Sequence, residues 1–97
     1  MRVINVEIKA RCLDPGRVRA VLGERNARFA GVDQQVDTYF RVPQGRLKLR
    51  EGKIENALIY YQRPNEAGPK TSNVLLYPAS PGLKEILVTA LGVLVAV

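Results

Sequence analysis

Residues 46–51 read Arg-Leu-Lys-Leu-Arg-Glu, and this strict alternation constrains the fold more than any other feature of the chain. A period of two puts Leu47 and Leu49 on one face of a β-strand and the three cations on the other. Turn-forming residues flank the segment on both sides, with Pro43-Gln44-Gly45 before it and Gly52-Lys53 after it. The pattern predicts a strand of an antiparallel sheet that has one apolar face and one cationic face.

Five further segments have strand character. Residues 3–11 alternate, which predicts a first strand whose buried face carries Ile4, Val6, Ile8 and Ala10. β-Branched and aromatic residues predict the other strands, at residues 34–42, 57–63, 71–77 and 93–97.

Two helices are predicted by the same start signal, a capping residue followed by proline, at Asp14-Pro15 and Ser80-Pro81. Gly92 is the predicted end of the second helix. The order of elements predicts an α+β fold, an antiparallel sheet or (half-)barrel of about six strands and two helices with a cationic inner face. At 97 residues the chain is expected to form a single domain over residues 1–97.

Positive charge predicts the kind of ligand. Lys and Arg number 15 against 9 Asp and Glu, and the net charge of +6 favours an anionic partner. Like charges on neighbouring strands repel each other unless an anion lies between them. A polyphosphate suits such a face because its oxygens accept charge-assisted hydrogen bonds from Arg and Lys. The alternative is a solvated face of unrelated cations.

Acidic and aromatic residues give further candidates. Glu7 shares a strand face with Lys9, so it is either a ligand for Mg²⁺ or Mn²⁺ or a salt-bridge partner. Asp37 and Glu51 are weaker metal candidates. The aromatic side chains either stack on a base or pack within the sheet; they are Tyr39, Tyr60 and Tyr61.

Several classes of site and location are excluded or disfavoured. The chain has no His and only one cysteine, Cys12, which excludes a His-based zinc site, a Ser-His-Asp triad and an internal disulfide. The absence of a signal pattern predicts a cytoplasmic protein. The uncharged stretch at residues 86–97 is too short to cross a bilayer, so no membrane association is expected.

Four blocks of sequence, in order, resemble the CYTH superfamily, also called the triphosphate tunnel metalloenzymes. Residues 5–11 resemble its E-x-E-x-K opening strand, and residues 35–40 resemble its Q-x-D-T-Y-F strand. Residues 45–51 resemble its basic L-R-x-R strand. Residues 58–64 with 68–72 look like the next block of bacterial members. The resemblance covers essentially the whole chain and corresponds to the N-terminal half of the family barrel.

The resemblance implies a basic tunnel that holds a triphosphate with Mg²⁺ or Mn²⁺. Members include class IV adenylyl cyclases, thiamine triphosphatases and inorganic triphosphatases. Glu7 would be the metal-side carboxylate. The implied phosphate contacts are Lys9, Lys48, Arg50, Arg63 and Lys70, with Arg46 flanking them.

Two departures from the family pattern limit what it implies. Asn5 stands where the opening motif has its first acid. The second half of the family barrel is absent from these 97 residues. Either two copies form the barrel as a homodimer, or another chain supplies the missing half, or the chain is a truncated remnant.

Three functions follow as hypotheses. The first is a metal-dependent triphosphatase or cyclase, and the second is a module that binds a triphosphate, nucleotide or polyphosphate without cleaving it. The third, nucleic-acid binding, is disfavoured because no RNA-recognition motif is present. On this reading, Lys48→Ala and Arg50→Ala are each expected to weaken polyphosphate binding while barely changing folding stability.

Overall fold

The computed structural model describes residues 1–62 and 68–97. Its elements follow the predicted order: β1 (Arg2–Glu7), α1 (Pro15–Glu24), β2 (Val36–Phe40), β3 (Arg46–Glu51), β4 (Asn56–Gln62), β5 (Lys70–Pro78), α2 (Leu83–Leu91) and β6 (Val93–Ala96). The α+β class, with six strands and two helices, is therefore confirmed. Neither described helix is long and apolar enough to cross a membrane.

All six strands form one antiparallel sheet in the order β1-β5-β4-β3-β2-β6. The chain makes two consecutive hairpins from β2 to β4, then β5 adds next to β4. The first strand, β1, pairs with the other edge of β5, and the last strand, β6, pairs with the other edge of β2. The sheet is open, with β1 and β6 at its edges, so the described part of the chain forms an open sheet and not a closed barrel.

Strand register divides the side chains between two faces, because directly opposed residues point to the same side. Lys48 lies opposite Tyr39 on β2 and Ile59 on β4, and all three share what we call the cleft face. Leu49 lies opposite Thr38 and Leu58 on what we call the helix face.

α2 belongs to the helix face. Lys84 Nζ on this helix lies 3.0 Å from Glu51 Oε1, and Phe40 and Leu49 are buried on the same side of the sheet. Ala57 and Ile59 are buried on the cleft face. The small core is thus centred on β2, β3 and β4, which places the cations of β3 over the best-buried part of the sheet.

The first strand differs from its prediction in two ways. β1 ends at Glu7, which pairs with Lys70, the first residue of β5. Lys9 and Arg11 therefore lie beyond the strand. The predicted burial is also wrong, because Ile4 is 70% exposed and Val6 is 64% exposed. No described helix covers this side of β1.

The two helices begin differently. α1 starts as predicted: Asp14 is its N-cap, Asp14 Oδ1 accepts a hydrogen bond from the backbone N of Arg17 at 3.1 Å, and Pro15 is the first helical residue. For α2 the predicted Ser80 cap is wrong. The carbonyl of Ser80 instead accepts from Leu83 N in a turn, with Gly82 at φ 84°, and the helix begins after it. Gly92 ends α2 as predicted.

Candidate functional site

The cleft face carries a depression of about 320 Å³, which we call the cleft. This volume is at the lower end of the range for small-molecule sites. One part of its wall is polar, formed by Asn5, Glu7, Lys48, Arg50, Glu55 and Ser72. The other part is apolar, formed by Val3, Ile59, Tyr61, Val74 and Leu76. The sheet therefore brings Glu7 of the first predicted motif and both central cations of the third into one concave site.

Asp37 lies at the centre of the cationic cluster, directly opposite Arg50 in the β2–β3 ladder. Arg50 Nε donates to Asp37 Oδ1 at 2.9 Å, and Arg50 Nη2 donates to Asp37 Oδ2 at 2.8 Å. Lys48 Nζ donates to the same Oδ2 at 3.2 Å. Paired forks of this kind are the strongest class of ion pair in proteins. Asp37 therefore neutralises part of the positive charge that the sequence pattern predicts.

The surroundings shift the proton affinities of this pair in opposite directions. Hydrogen bonds from Arg50, followed by those from Lys48, hold the pKa of the Asp37 carboxyl below its ordinary value, although partial burial opposes the shift. The hydrogen bond to Asp37 raises the pKa of Arg50 further above its already high value. Both side chains are therefore charged across the physiological pH range.

Lys48 sits between two tyrosine rings on the neighbouring strands. Its Nζ lies 5.6 Å from the ring centroid of Tyr39 and 5.8 Å from that of Tyr61, which are cation–π distances. The Lys48 side chain is only 12% exposed. The two rings and Asp37 together fix the position of the ammonium group on the floor of the cleft.

A carboxylate-capped turn places Glu55 beside Arg50. Asp33 accepts hydrogen bonds from the backbone N of Lys53 at 2.8 Å and of Glu55 at 3.0 Å. The side chain of Gln35 also donates to Asp33, at 3.0 Å. This hydrogen bond is the main cause that lowers the pKa of Asp33 to about 2, and the backbone hydrogen bonds add to it. Arg50 Nη1 then lies 3.4 Å from both oxygens of Glu55.

Gly52 makes this turn possible. A Cβ at residue 52 would collide with the Asp33 carboxylate. The close approach of the carboxylate to the turn therefore needs a glycine at this position. This explains why the turn predicted at Gly52-Lys53 contains a glycine.

Three of the other predicted phosphate contacts do not line the cleft. Lys9 and Lys70 line a neighbouring depression together with Glu7. Arg46 shares the cleft face but lines a separate depression beside β6. Arg63 lies outside the described residues. The cations therefore form a central pair, Lys48 and Arg50, with a second pair at one side.

Two of the weaker candidates face away from the cleft. Glu51 lies on the helix face, where it pairs with Lys84. Tyr60 is on the same face, and its hydroxyl donates to the carbonyl of Gln44 at 3.1 Å. Asp37 does lie on the cleft face, but its oxygens are already occupied by Lys48 and Arg50.

The described residues offer a limited set of metal ligands. No three His, Cys, Asp or Glu side chains among them group closely enough to hold a metal ion. Asn5 Nδ2 donates weakly to Glu7 Oε2 at 3.5 Å, which keeps the two side chains together on the cleft face. Mg²⁺ often takes one or two protein carboxylates and completes its shell with water and substrate phosphates. These residues fit a metal that arrives with phosphates, and they do not fit a metal held by this part of the chain alone.

Sequence reasoning missed the pairing of Asp37 with Arg50 and the contribution of Glu55. The signal for the first was available, because the turn at Pro43-Gln44-Gly45 sets the hairpin register that opposes the two residues. The position of Glu55 depends on the turn geometry that Asp33 imposes, which has no simple sequence signature.

Comparisons with known proteins leave the family resemblance as a hypothesis. No family model, no curated protein and no solved structure matches the chain.

Proposed function

We propose that this protein binds a triphosphate-containing small molecule in the cleft. The candidates are inorganic triphosphate, a nucleoside triphosphate and thiamine triphosphate. The observation that supports the proposal most directly is the shared cleft of Lys48, Arg50, Asn5 and Glu7. The resemblance to the CYTH superfamily implies that Lys48 and Arg50 contact phosphate and that Glu7 contacts the metal. A rigid ammonium on the floor and a guanidinium beside it are suitable donors for phosphate oxygens.

Binding is the primary proposal, and hydrolysis or cyclisation is the extension of it. Lys48 and Arg50 share the cleft with Glu7 and Glu55, while Asp37 lies against both cations. Two cations against three carboxylates give these five side chains a net charge of −1. We propose that a divalent cation, Mg²⁺ or Mn²⁺, accompanies the phosphates and uses Glu7 as a protein ligand. It would neutralise phosphate charge, and the chain's own residues would position the phosphates.

The proposal includes a partner chain, preferably a second copy in a homodimer. The radius of gyration is 15.8 Å, against roughly 12 to 13 Å for a compact domain of this length. Residues 1–32 contain no buried side chain, and Ile4, Val6 and the α1 residues Val18 and Leu22 are all exposed. Exposed apolar surfaces of this extent are typical of interfaces. The single cysteine suits a reducing cytoplasm, which is the proposed location.

Calorimetric titration with tripolyphosphate tests the binding proposal. We expect binding that strengthens with Mg²⁺ and weakens with added salt. Lys48→Ala should weaken it roughly tenfold or more, because a charge-assisted hydrogen bond contributes about 1.5 to 3 kcal/mol.

Lys84→Ala is the matched control for this titration. It removes the same charge from the helix face and should change the affinity less than about twofold, since an exposed charge on the far side is screened. A wild-type chain that does not bind tripolyphosphate with Mg²⁺ present would contradict the proposal. Equal losses in the two variants would show that only net charge matters.

A phosphate-release assay separates the catalytic extension from binding alone. Release of phosphate from tripolyphosphate that requires Mg²⁺ or Mn²⁺ and disappears in Glu7→Gln would support a metal-dependent triphosphatase. Tight binding with no release in the presence of either metal would support the non-catalytic module.

A further inference from the structure

The donors that a phosphate would use already have an acceptor. Asp37 takes two hydrogen bonds from Arg50 and one from Lys48, and these are the two cations that line the cleft. The remaining Arg50 nitrogen, Nη1, points to Glu55. Side-chain exposure is 13% for Asp37 and 12% for Lys48, so this arrangement is largely shielded from water. An incoming anion therefore competes with a carboxylate that belongs to the protein.

We propose that Asp37 is an internal competitor for the anion site and sets its selectivity for anions that carry several phosphate groups. The inference rests on the proposed function of the cleft. An anion must replace the hydrogen bonds that Asp37 makes to Lys48 and Arg50. Asp37 is therefore a specificity-determining residue and not a ligand contact.

Tethering makes Asp37 a strong competitor. A group attached to the same fold acts at an effective concentration in the millimolar range or above. The backbone of Asp37 is also fixed on its other side, because its N donates to the carbonyl of Val97 at 2.8 Å and its carbonyl accepts from Val97 N at 3.0 Å. An anion with a single phosphate group, at low millimolar concentration, therefore gains little by replacing it.

A triphosphate can displace Asp37 because it offers several charged oxygens at once. It carries several charges and several oxygens, so it can contact Lys48 and Arg50 together and reach other donors in the same event. Lys48 does not swing away from the site, since Tyr39 and Tyr61 hold it from both sides. The cost of displacing Asp37 is therefore met only by an anion that makes several charged contacts at once.

The charged groups facing Asp37 are few. Lys48 and Arg50 face it from β3, and Glu55 lies behind Arg50. On the side of β6 the neighbouring residues are Val95 of that strand and Val97, just beyond its end. Among the described residues, a displaced Asp37 carboxylate has no second cation on its own strand or on β6. It would remain near the bound phosphates and lower their affinity.

Removing the carboxylate tests the inference. Asp37→Asn keeps the shape of the side chain and removes its charge. We expect it to bind tripolyphosphate at least tenfold more tightly than the wild-type chain and to bind orthophosphate measurably at millimolar concentration. Glu51→Gln is the matched control: it makes the same change in net charge on the helix face and should change the affinity less than twofold.

The outcomes separate this inference from the proposed function. Tripolyphosphate binding that is unchanged or weaker in Asp37→Asn overturns the role of Asp37 and leaves the proposed function standing. Failure of both the wild-type chain and Asp37→Asn to bind overturns both. Equal gains in Asp37→Asn and Glu51→Gln also overturn it, because net charge would then explain the effect.

A measurement on the wild-type chain keeps the inference testable if the variant does not fold. The carboxyl carbon of Asp37 can be followed by NMR during titration with each anion. Tripolyphosphate should shift this resonance as the ion pair opens, while orthophosphate at the same concentration should not. A resonance that stays constant at saturation with tripolyphosphate would overturn the competition.

Discussion

Replacing Arg50 with alanine tests the energetic account of the cleft face. The change removes two hydrogen bonds to Asp37, at 2.9 and 2.8 Å, and leaves a carboxylate with 13% side-chain exposure that keeps only Lys48. Charged hydrogen bonds contribute about 1.5 to 3 kcal/mol in net terms. The pair with Glu55, at 3.4 Å and more exposed, adds about 0.5 kcal/mol or less. The expected loss is about 2 to 3 kcal/mol in the free energy of unfolding.

Urea unfolding followed by circular dichroism measures this loss. With a slope of about 1 to 3 kcal/mol per molar urea, the midpoint should fall by about 1 M or more. Arg46→Ala is the control, since Arg46 lies exposed on the same strand and face and forms no ion pair among the described residues. It should cost less than about 0.5 kcal/mol. Equal effects of Arg50→Ala and Arg46→Ala would refute the reasoning and support the expectation from sequence that Arg50→Ala barely changes folding stability.

Three further predictions follow from the turn, the carboxylates and the apolar surface. Gly52→Ala should lower the urea midpoint of unfolding, because it forces Asp33 off the backbone N–H groups. Gly23→Ala, in open space on α1, should not be destabilising. The folded-state pKa of Asp33, about 2, and that of Asp37 lie below the unfolded value, so both carboxylates stabilise the fold fully above about pH 4. The midpoint temperature of thermal unfolding should fall as the pH is lowered from 4 towards 2. The fall should be smaller in Asp33→Asn than in the wild-type chain. Light scattering should show self-association of the wild-type chain, abolished by Val6→Glu.

The hairpins and the class of fold could be read from the sequence because their signals are local. Alternation at residues 46–51, bounded by two turns, gave β3 its observed limits of Arg46 and Glu51. The start of α1 was equally local, since Asp14 and Pro15 act within one turn of helix. Such patterns depend on neighbours in the chain, which are known before the fold is.

The features that were missed depend on partners distant in sequence. The end of β1 at Glu7 coincides with the start of its ladder partner, β5, at Lys70, and Ile4 is exposed because no helix lies over it in the described structure. In the site, the cations were identified correctly as sharing a face, but their charge balance depends on Asp37 across the ladder. A pattern within one strand does not show what its neighbour places opposite each residue.

Mapping of amide chemical shifts by NMR during titration with tripolyphosphate and Mg²⁺ tests the central claim most directly, because it reports where the anion binds. The account predicts saturable shifts on the cleft side, at Asn5, Lys48, Arg50 and Ser72, with little change at Tyr60 and Lys84 on the helix face. Shifts confined to the arginines of α1, Arg17 and Arg19, or spread evenly over all basic residues, would contradict it.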